Sequence, residues 1–291
     1  MLKQRVISAI VMIAVVFAAL FLFSPFYFAL ALGAIATVGV WEWTQFARFK
    51  IRVWRGVISA VAGSFLFLWL LSEKDYLNAA HHFFQAYAEP LLLAAIIWWI
   101  VAVALVLTYP KSATIWKKSI LLQLIFAFLS LIPFVIAVLK LRLTNYIVDP
   151  YQGIALLLYV FVLVWAADSG AYFVGRKFGK HKLAPQVSPG KTWQGVIGGV
   201  ITAGILASVF LSVARHYIFS PQISMLSLII LSIATVSISV FGDLTESMFK
   251  RESGIKDSGN FIPGHGGILD RIDSLLAATP FFAYFYFFIL Q

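Results

Sequence analysis

Nine long apolar stretches restrict what this chain can fold into. About 20 apolar residues cross the hydrocarbon core of a bilayer as a helix, which satisfies its backbone hydrogen bonds internally. The stretches of about that length are residues 6–23, 26–43, 56–72, 90–108, 119–139, 153–174, 195–213, 222–242 and 274–290. We therefore predict an all-α, polytopic integral membrane protein with about nine transmembrane helices.

The composition supports this class and excludes others. Only 12% of the residues are charged, whereas soluble domains carry about 25%. The absence of cysteine excludes disulfides and thiolate metal ligands. The net charge of +10 is explained by the enrichment of Lys and Arg in cytoplasmic loops, so we expect a lipid bilayer and no nucleic acid as a partner.

The distribution of Lys and Arg predicts the orientation. With the N-terminus in the cytoplasm, nine spans place 18 of the 22 Lys and Arg residues on the cytoplasmic side. The C-terminus then lies outside. We divide the chain into N-terminal transmembrane helices, 1–150, and a C-terminal catalytic region, 151–291, with cytoplasmic loops 175–194 and 243–273.

The segment 243–273 concentrates charge in an otherwise apolar chain. Asp243, Glu246, Ser247 and Lys250 are spaced so that they share one face of a helix. Lys250 and Arg251 are also the kind of cations that reach lipid headgroups from a helix end. However, an aspartate at the end of a span is costly without a cation or metal partner, which favours a functional site.

Two further carboxylates, Asp270 and Asp273, precede the last apolar stretch. They fit an N-cap pair of the following helix, and they equally fit ligands of a divalent cation. Magnesium prefers one or two carboxylates together with waters and substrate phosphates. Asp243 and Asp270, with Asp273 supporting them, are therefore candidate magnesium ligands.

A glycine-rich turn lies between these carboxylates, and a second polar segment follows the sixth stretch. The turn, 263–267, contains His265, Gly266 and Gly267, and its amides can approach an anion closely. With Lys250, Arg251 and Lys256 it predicts a phosphate site. The second segment begins at an ionisable residue of a span end and adds cations and a hydroxyl to the same pocket, although a simple positive-inside loop also explains part of it; its candidate residues are Asp168, Lys182, Ser188 and Lys191.

Together, the two segments resemble the phosphatidate cytidylyltransferase (CDP-diacylglycerol synthase) family of membrane enzymes. The resemblance covers residues 160–275, including the stretches DSGAY, FGKHKL and VSPGKTWQG. The family's C-terminal signature is matched without a gap at Ser247, Phe249, Lys250, Arg251, Lys256, Asp257, Gly259, Ile262, Pro263, His265, Gly266, Gly267, Asp270, Arg271 and Asp273.

The resemblance implies that the chain joins CTP and phosphatidic acid to give CDP-diacylglycerol and pyrophosphate, a step of phospholipid biosynthesis. Asp243, Lys250, Asp270 and Asp273 are the implied catalytic residues, with one or two magnesium ions. The implied substrate and phosphate contacts are Asp168, Lys182, Ser188, Lys191, Ser247, Arg251, Lys256, His265, Gly266, Gly267 and Arg271. We further expect a bacterial inner membrane, a site facing the cytoplasm, and a homodimer.

Two other functions fit parts of the pattern. A CTP-dependent polyprenol kinase also needs CTP, a metal ion and a membrane alcohol, and its product distinguishes it. A transporter also places charges in spans, but here the charges cluster at one face.

Overall fold

The computed structural model describes residues 2–47, 52–72 and 76–291, and it describes side chains within 7–47, 53–64 and 76–291. Nearly all of this part of the chain is helical. The helices are α1 Leu2–Leu22, α2 Pro25–Phe46, α3 Arg52–Ser72, α4 Tyr76–Phe83, α5 Glu89–Leu107, α6 Ala113–Trp116, α7 Ile120–Arg142, α8 Pro150–Phe178, α9 Trp193–Ile218, α10 Met225–Ser253 and α11 Leu269–Phe285. Two π-helical turns, Phe84–Ala88 and Tyr286–Leu290, continue α4 into α5 and extend α11.

Seven helical segments in the described chain are long and apolar enough to cross a membrane. They are Pro25–Phe46, Tyr76–Leu107, Ile120–Arg142, Pro150–Phe178, Trp193–Ile218, Met225–Ser253 and Leu269–Leu290. The prediction of an all-α, polytopic membrane protein is confirmed. The number of spans, the side on which each terminus lies and the division at residue 150 stay predictions. Arg48, Lys50 and Lys74, which were counted for the orientation, lie outside the described residues.

Side-chain caps fix where several helices begin. The hydroxyl or carboxylate of each capping residue accepts a backbone N–H of the first turn, and these residues are Ser24, Ser119, Asp149, Thr192 and Ser224. Such caps satisfy donors that have no partner within the helix. The helix α11 begins after Ile268, whose side chain makes no such bond. The backbone N–H groups of its first turn therefore need acceptors from other parts of the chain.

Small residues allow α8 and α9 to pack closely. A Cβ added to Gly198 would lie 2.5 Å from Val174, and one added to Gly199 would lie 2.6 Å from the Ala167 carbonyl oxygen. Small residues at such contacts let two membrane helices approach closely. Between these helices, strands β1 Lys182–Ala184 and β2 Ser188–Thr192 form an antiparallel hairpin.

The helices extend further into both polar segments than the sequence indicated. The helix α8 continues to Phe178, α10 continues to Ser253, and α11 begins at Leu269. Gly254 ends α10 in the left-handed conformation, with φ of 72°, which glycine adopts without steric cost. The connection between α10 and α11 is therefore residues 254–268, and the aspartates at its ends lie on helices.

An aromatic cluster fixes the end of α2 against the end of α10. The Trp43 and Phe249 ring centroids lie 5.3 Å apart, and Phe46 stacks on Phe249 at 6.1 Å. Trp116 meets the same ring edge-on at 4.7 Å. All four side chains are almost fully buried. The last turn of α2 is thereby held beside the connection 254–268.

Candidate functional site

The cytoplasmic end predicted for α10 carries a polar face, as its spacing indicated. Lys250 projects from this face toward α11, where its Nζ lies 2.5 Å from Asp270 Oδ1. The same Nζ lies 3.5 Å from Glu246 Oε1, one turn earlier on α10. One ammonium group therefore serves two carboxylates from two helices.

Asp270 is held by the connection that precedes it. Its Oδ2 accepts hydrogen bonds from the backbone N–H of Ser258 at 2.9 Å, the hydroxyl of Ser258 at 3.0 Å and the backbone N–H of Gly267 at 2.8 Å. Hydrogen bonds to an ionised carboxylate are stronger than neutral ones. The connection thus fixes the orientation of Asp270 and, through it, the position of the Lys250 ammonium.

The glycine-rich turn requires two of its glycines for conformational reasons. Gly264 and Gly266 have φ of 77° and 85°, and a Cβ at Gly266 would lie 2.7 Å from Asp270 Oδ2. The amide of Gly267 bonds to Asp270, so this part of the turn positions a carboxylate. The Nδ1 atom of His265 is buried and has no hydrogen-bond partner in the described chain. Binding of a substrate phosphate by the turn stays a prediction.

The hairpin brings the second polar segment to α10. Lys191 Nζ lies 2.8 Å from Asp243 Oδ2 and donates to the Val240 carbonyl oxygen at 3.3 Å. Ser247 donates to Asp243 Oδ1 at 3.2 Å. Arg251 Nε donates to the Val187 carbonyl oxygen at 3.1 Å. The two polar segments, 175–194 and 243–273, are therefore in contact along α10.

A cavity of about 500 Å³ lies among α8, α9, α10 and the hairpin. Its polar lining includes Asp168, Arg176, Ser188, Lys191 and Asp243. Its apolar lining includes Ala167, Ala171, Val196, Val200, Val236 and Val240. The cavity is therefore lined by both cationic and hydroxyl groups and hydrocarbon side chains.

Three of the predicted phosphate-binding cations lie apart from these contacts. Lys182, Lys256 and Arg271 are exposed. Among the residues that the structure describes, their side chains make no hydrogen bond or ion pair. Their roles in phosphate binding stay predictions.

One buried carboxylate near the site was missed in the sequence. Glu42 of α2 has no exposed surface and accepts hydrogen bonds from the backbone N–H groups of Ile268 at 3.0 Å and Leu269 at 2.8 Å. It supplies the cap that α11 lacks. An ionisable residue within a predicted span is itself a signal of function, and Glu42 lies within the stretch 26–43.

The acidic side chains at the ends of α10 and α11 are of the type that binds magnesium. Four carboxylates, Asp243, Glu246, Asp270 and Asp273, lie at the ends of α10 and α11 with two lysines: Lys191 pairs with Asp243, and Lys250 pairs with Glu246 and Asp270. Both carboxylate oxygens of Glu246 are buried without a donated hydrogen bond in the described chain. Carboxylate oxygens grouped in this way are the kind of ligand that a divalent cation takes.

The same residues do not form a complete protein cage. The described residues contain no group of three or more His, Cys, Asp or Glu side chains placed to hold one ion. Magnesium commonly keeps waters and substrate phosphates as ligands, so a partial set is compatible with it. Asp270 is already engaged through both of its oxygens, and an ion on Oδ1 would have to replace Lys250.

The comparisons with known proteins identify the family. A model described as "Cytidylyltransferase family" matches residues 3–289. The chain belongs to this family. The resemblance found in the two polar segments is therefore confirmed and extends through the N-terminal helices.

Similar relatives cover almost all of the chain. The phosphatidate cytidylyltransferase of Haemophilus influenzae is 62% identical over 290 residues, which is the whole length of both proteins. The phosphatidate cytidylyltransferase of Pseudomonas aeruginosa is 42% identical over 97% of this chain and 96% of its own length. That of Bacillus subtilis is 35% identical over 96% of both.

Proposed function

We propose that this protein transfers the cytidylyl group of CTP to phosphatidic acid and releases CDP-diacylglycerol and pyrophosphate. The observation that carries the proposal is the pairing of Lys191 with Asp243 and Lys250 with Asp270 around the end of α10, beside a cavity with polar and apolar walls. The relatives at 62%, 42% and 35% identity bear the name of this activity.

The reaction joins two anions. A phosphate oxygen of phosphatidic acid forms a bond to the α-phosphorus of CTP, while the bond from that phosphorus to the bridging oxygen of the β-phosphate breaks and its electrons leave with pyrophosphate. Such transfers depend mainly on positioning and on neutralising charge. A site for this reaction needs fixed cations more than it needs a nucleophile of its own.

Lys191 and Lys250 supply these cations. Each ammonium group is held by a carboxylate, and both are largely shielded from solvent, with side-chain exposures of 24% and 12%. Preorganised charges in a shielded site stabilise developing charge without reorganising. Lys191 faces the cavity, and Lys250 lies on the same polar face of α10.

Magnesium completes the proposed site. Asp243 and Asp273 would hold it, with Asp270 as a further ligand if Lys250 moves to the substrate. When bound, the ion would offset the charge of the phosphates. One or two ions are compatible with the four carboxylates.

The cavity gives the lipid a place. The apolar lining from α9 and α10 suits acyl chains, and the polar lining around Lys191 and Ser188 suits the phosphate headgroup. CTP is a soluble anion, so we place this end of the bundle at the cytoplasmic face of a bacterial inner membrane. A homodimer is the proposed assembly.

Labelled CTP tests this function and separates it from a polyprenol kinase. The purified protein is incubated with phosphatidic acid and a polyprenol, together with CTP labelled in the α- or the γ-phosphate. We expect the α-label in the lipid product and the γ-label in pyrophosphate. A lipid carrying the γ-label, with CDP released, would instead indicate the kinase, and no labelled lipid would refute both.

A further inference from the structure

Glu42 is a buried carboxylate that the proposed chemistry does not use. It has no exposed surface, so it cannot touch CTP or phosphatidic acid directly. The described residues include no cation in an ion pair with it. Burying a charge without a cation is costly unless hydrogen bonds compensate. The hydrogen-bond partners of Glu42 therefore indicate what this residue does.

Three donors surround Glu42: two come from the connection 254–268 and one from the first residue of α11. Ile268 N donates to Oε1, and Leu269 N and the Ser258 hydroxyl donate to Oε2, at 3.0, 2.8 and 3.0 Å. The first two are backbone groups at the start of α11, where the helix dipole favours a negative charge. Glu42 therefore caps the N-terminus of α11, the helix that carries Asp270.

Ser258 links Glu42 to Asp270. Its hydroxyl oxygen lies 3.0 Å from Glu42 Oε2 and 3.0 Å from Asp270 Oδ2. A serine hydroxyl has a single proton to donate, so the two carboxylates share one donor. Any change in the position of Glu42 is thereby transmitted to the carboxylate that orients Lys250.

Two glycines pack directly against the Glu42 carboxylate. A Cβ added to Gly259 would lie 2.3 Å from Glu42 Oε1, and one added to Gly267 would lie 2.6 Å from the same oxygen. Gln45, one turn further along α2, donates to the Ser258 carbonyl oxygen at 2.8 Å. Both glycines are thus required beside Glu42 because any side chain would displace it.

We infer that Glu42 is a positioning residue, which sets the Asp270–Lys250 pair through Ser258 and the start of α11. The inference rests on the proposed function, because it assigns the pair a role in cytidylyl transfer. It also gives the N-terminal helices a part in the site, since α2 supplies the residue.

A double-mutant cycle tests this role. Glu42→Gln keeps the size of the side chain but turns an amide N–H₂ toward groups that are themselves donors, and Ser258→Ala removes the shared hydroxyl. We expect each variant to lower kcat about 10- to 100-fold, the range for a lost hydrogen bond to a charged group. Both substitutions act on Asp270 through the Ser258 hydroxyl. The kcat of the double variant should therefore be no lower than that of the more impaired single variant.

A matched control separates positioning from general stability. Thr44 is equally buried on α2, but its hydroxyl bonds to the Trp41 carbonyl oxygen and accepts from Arg55 Nε. Thr44→Val should therefore change kcat less than twofold while its melting temperature falls. Losses that multiply in the double variant, or a Glu42→Gln protein with kcat within twofold of wild type, would overturn the inference.

A second readout does not depend on turnover. The rise in melting temperature caused by CTP is measured for the wild type, both single variants and the double variant. The reductions of this rise in the two single variants should not add up in the double variant. A wild-type protein that forms no CDP-diacylglycerol would refute the proposed function. Independent effects of Glu42 and Ser258 on the CTP-induced shift would refute the role of Glu42.

Discussion

Lys250 and Asp270 form an ion pair across two helices, with Nζ 2.5 Å from Oδ1. Asp270 receives three further hydrogen bonds, all from the connection between those helices. The pair therefore depends on the folded shape of residues 254–268 as much as on α10 and α11. This dependence makes several substitutions informative.

Asp270→Asn should reduce cytidylyl transfer by at least about 100-fold, because the amide removes the partner of Lys250 and turns a donor toward other donors. Transfer of α-labelled CTP into lipid measures this loss. Asp149→Asn is the matched control, since Asp149 caps α8 through a bond to the Tyr151 amide and takes no part in the site. Activity of Asp270→Asn near that of wild type would remove Asp270 from the chemistry.

Gly266→Ala should lose activity while remaining inserted in the membrane. Its φ of 85° costs a residue with a Cβ about 1–2 kcal/mol, and the methyl group would displace Asp270 Oδ2. Gly33→Ala is the control, because nothing lies within 4 Å of a Cβ there and alanine favours the helix by up to about 1 kcal/mol. Equal activity of the two variants would contradict the role assigned to the turn.

Val200→Phe should raise KM for phosphatidic acid about tenfold and leave KM for CTP within twofold, because it fills the apolar part of the cavity. Steady-state kinetics in mixed micelles measures both constants. Val213→Phe provides a comparison on the same helix, where the side chain is 84% exposed. If KM for CTP rose instead, the cavity would hold the nucleotide and not the lipid.

The sequence predicted the polar face of α10 well, because side chains three and four residues apart necessarily share a face of a helix. It also assigned Lys191 and Asp243 to one pocket, and their side chains lie 2.8 Å apart. It did not predict that they form a direct pair, since contacts between elements depend on how the helices pack. The hairpin connects α8 and α9, which pack closely at Gly198 and Gly199. This packing places the hairpin beside α10.

The contact of Glu42 with the connection 254–268 could not be predicted from the sequence. Glu42 lies 216 residues before Ser258, and no spacing rule connects residues so far apart. The apolar residues around it indicated a membrane span and nothing more specific. The packing of Trp43 and Phe46 on Phe249 and the hydrogen bond from Gln45 to the Ser258 carbonyl oxygen hold this carboxylate at the start of α11.

We propose that carboxylates and lysines at the ends of α10 and α11 bring two phosphates together with the help of a divalent cation. The most direct test is the transfer of α-labelled CTP to phosphatidic acid by the purified protein, before and after chelation and after magnesium is restored. We expect labelled CDP-diacylglycerol to disappear on chelation and to return with magnesium. Undiminished transfer in the presence of excess chelator would contradict it.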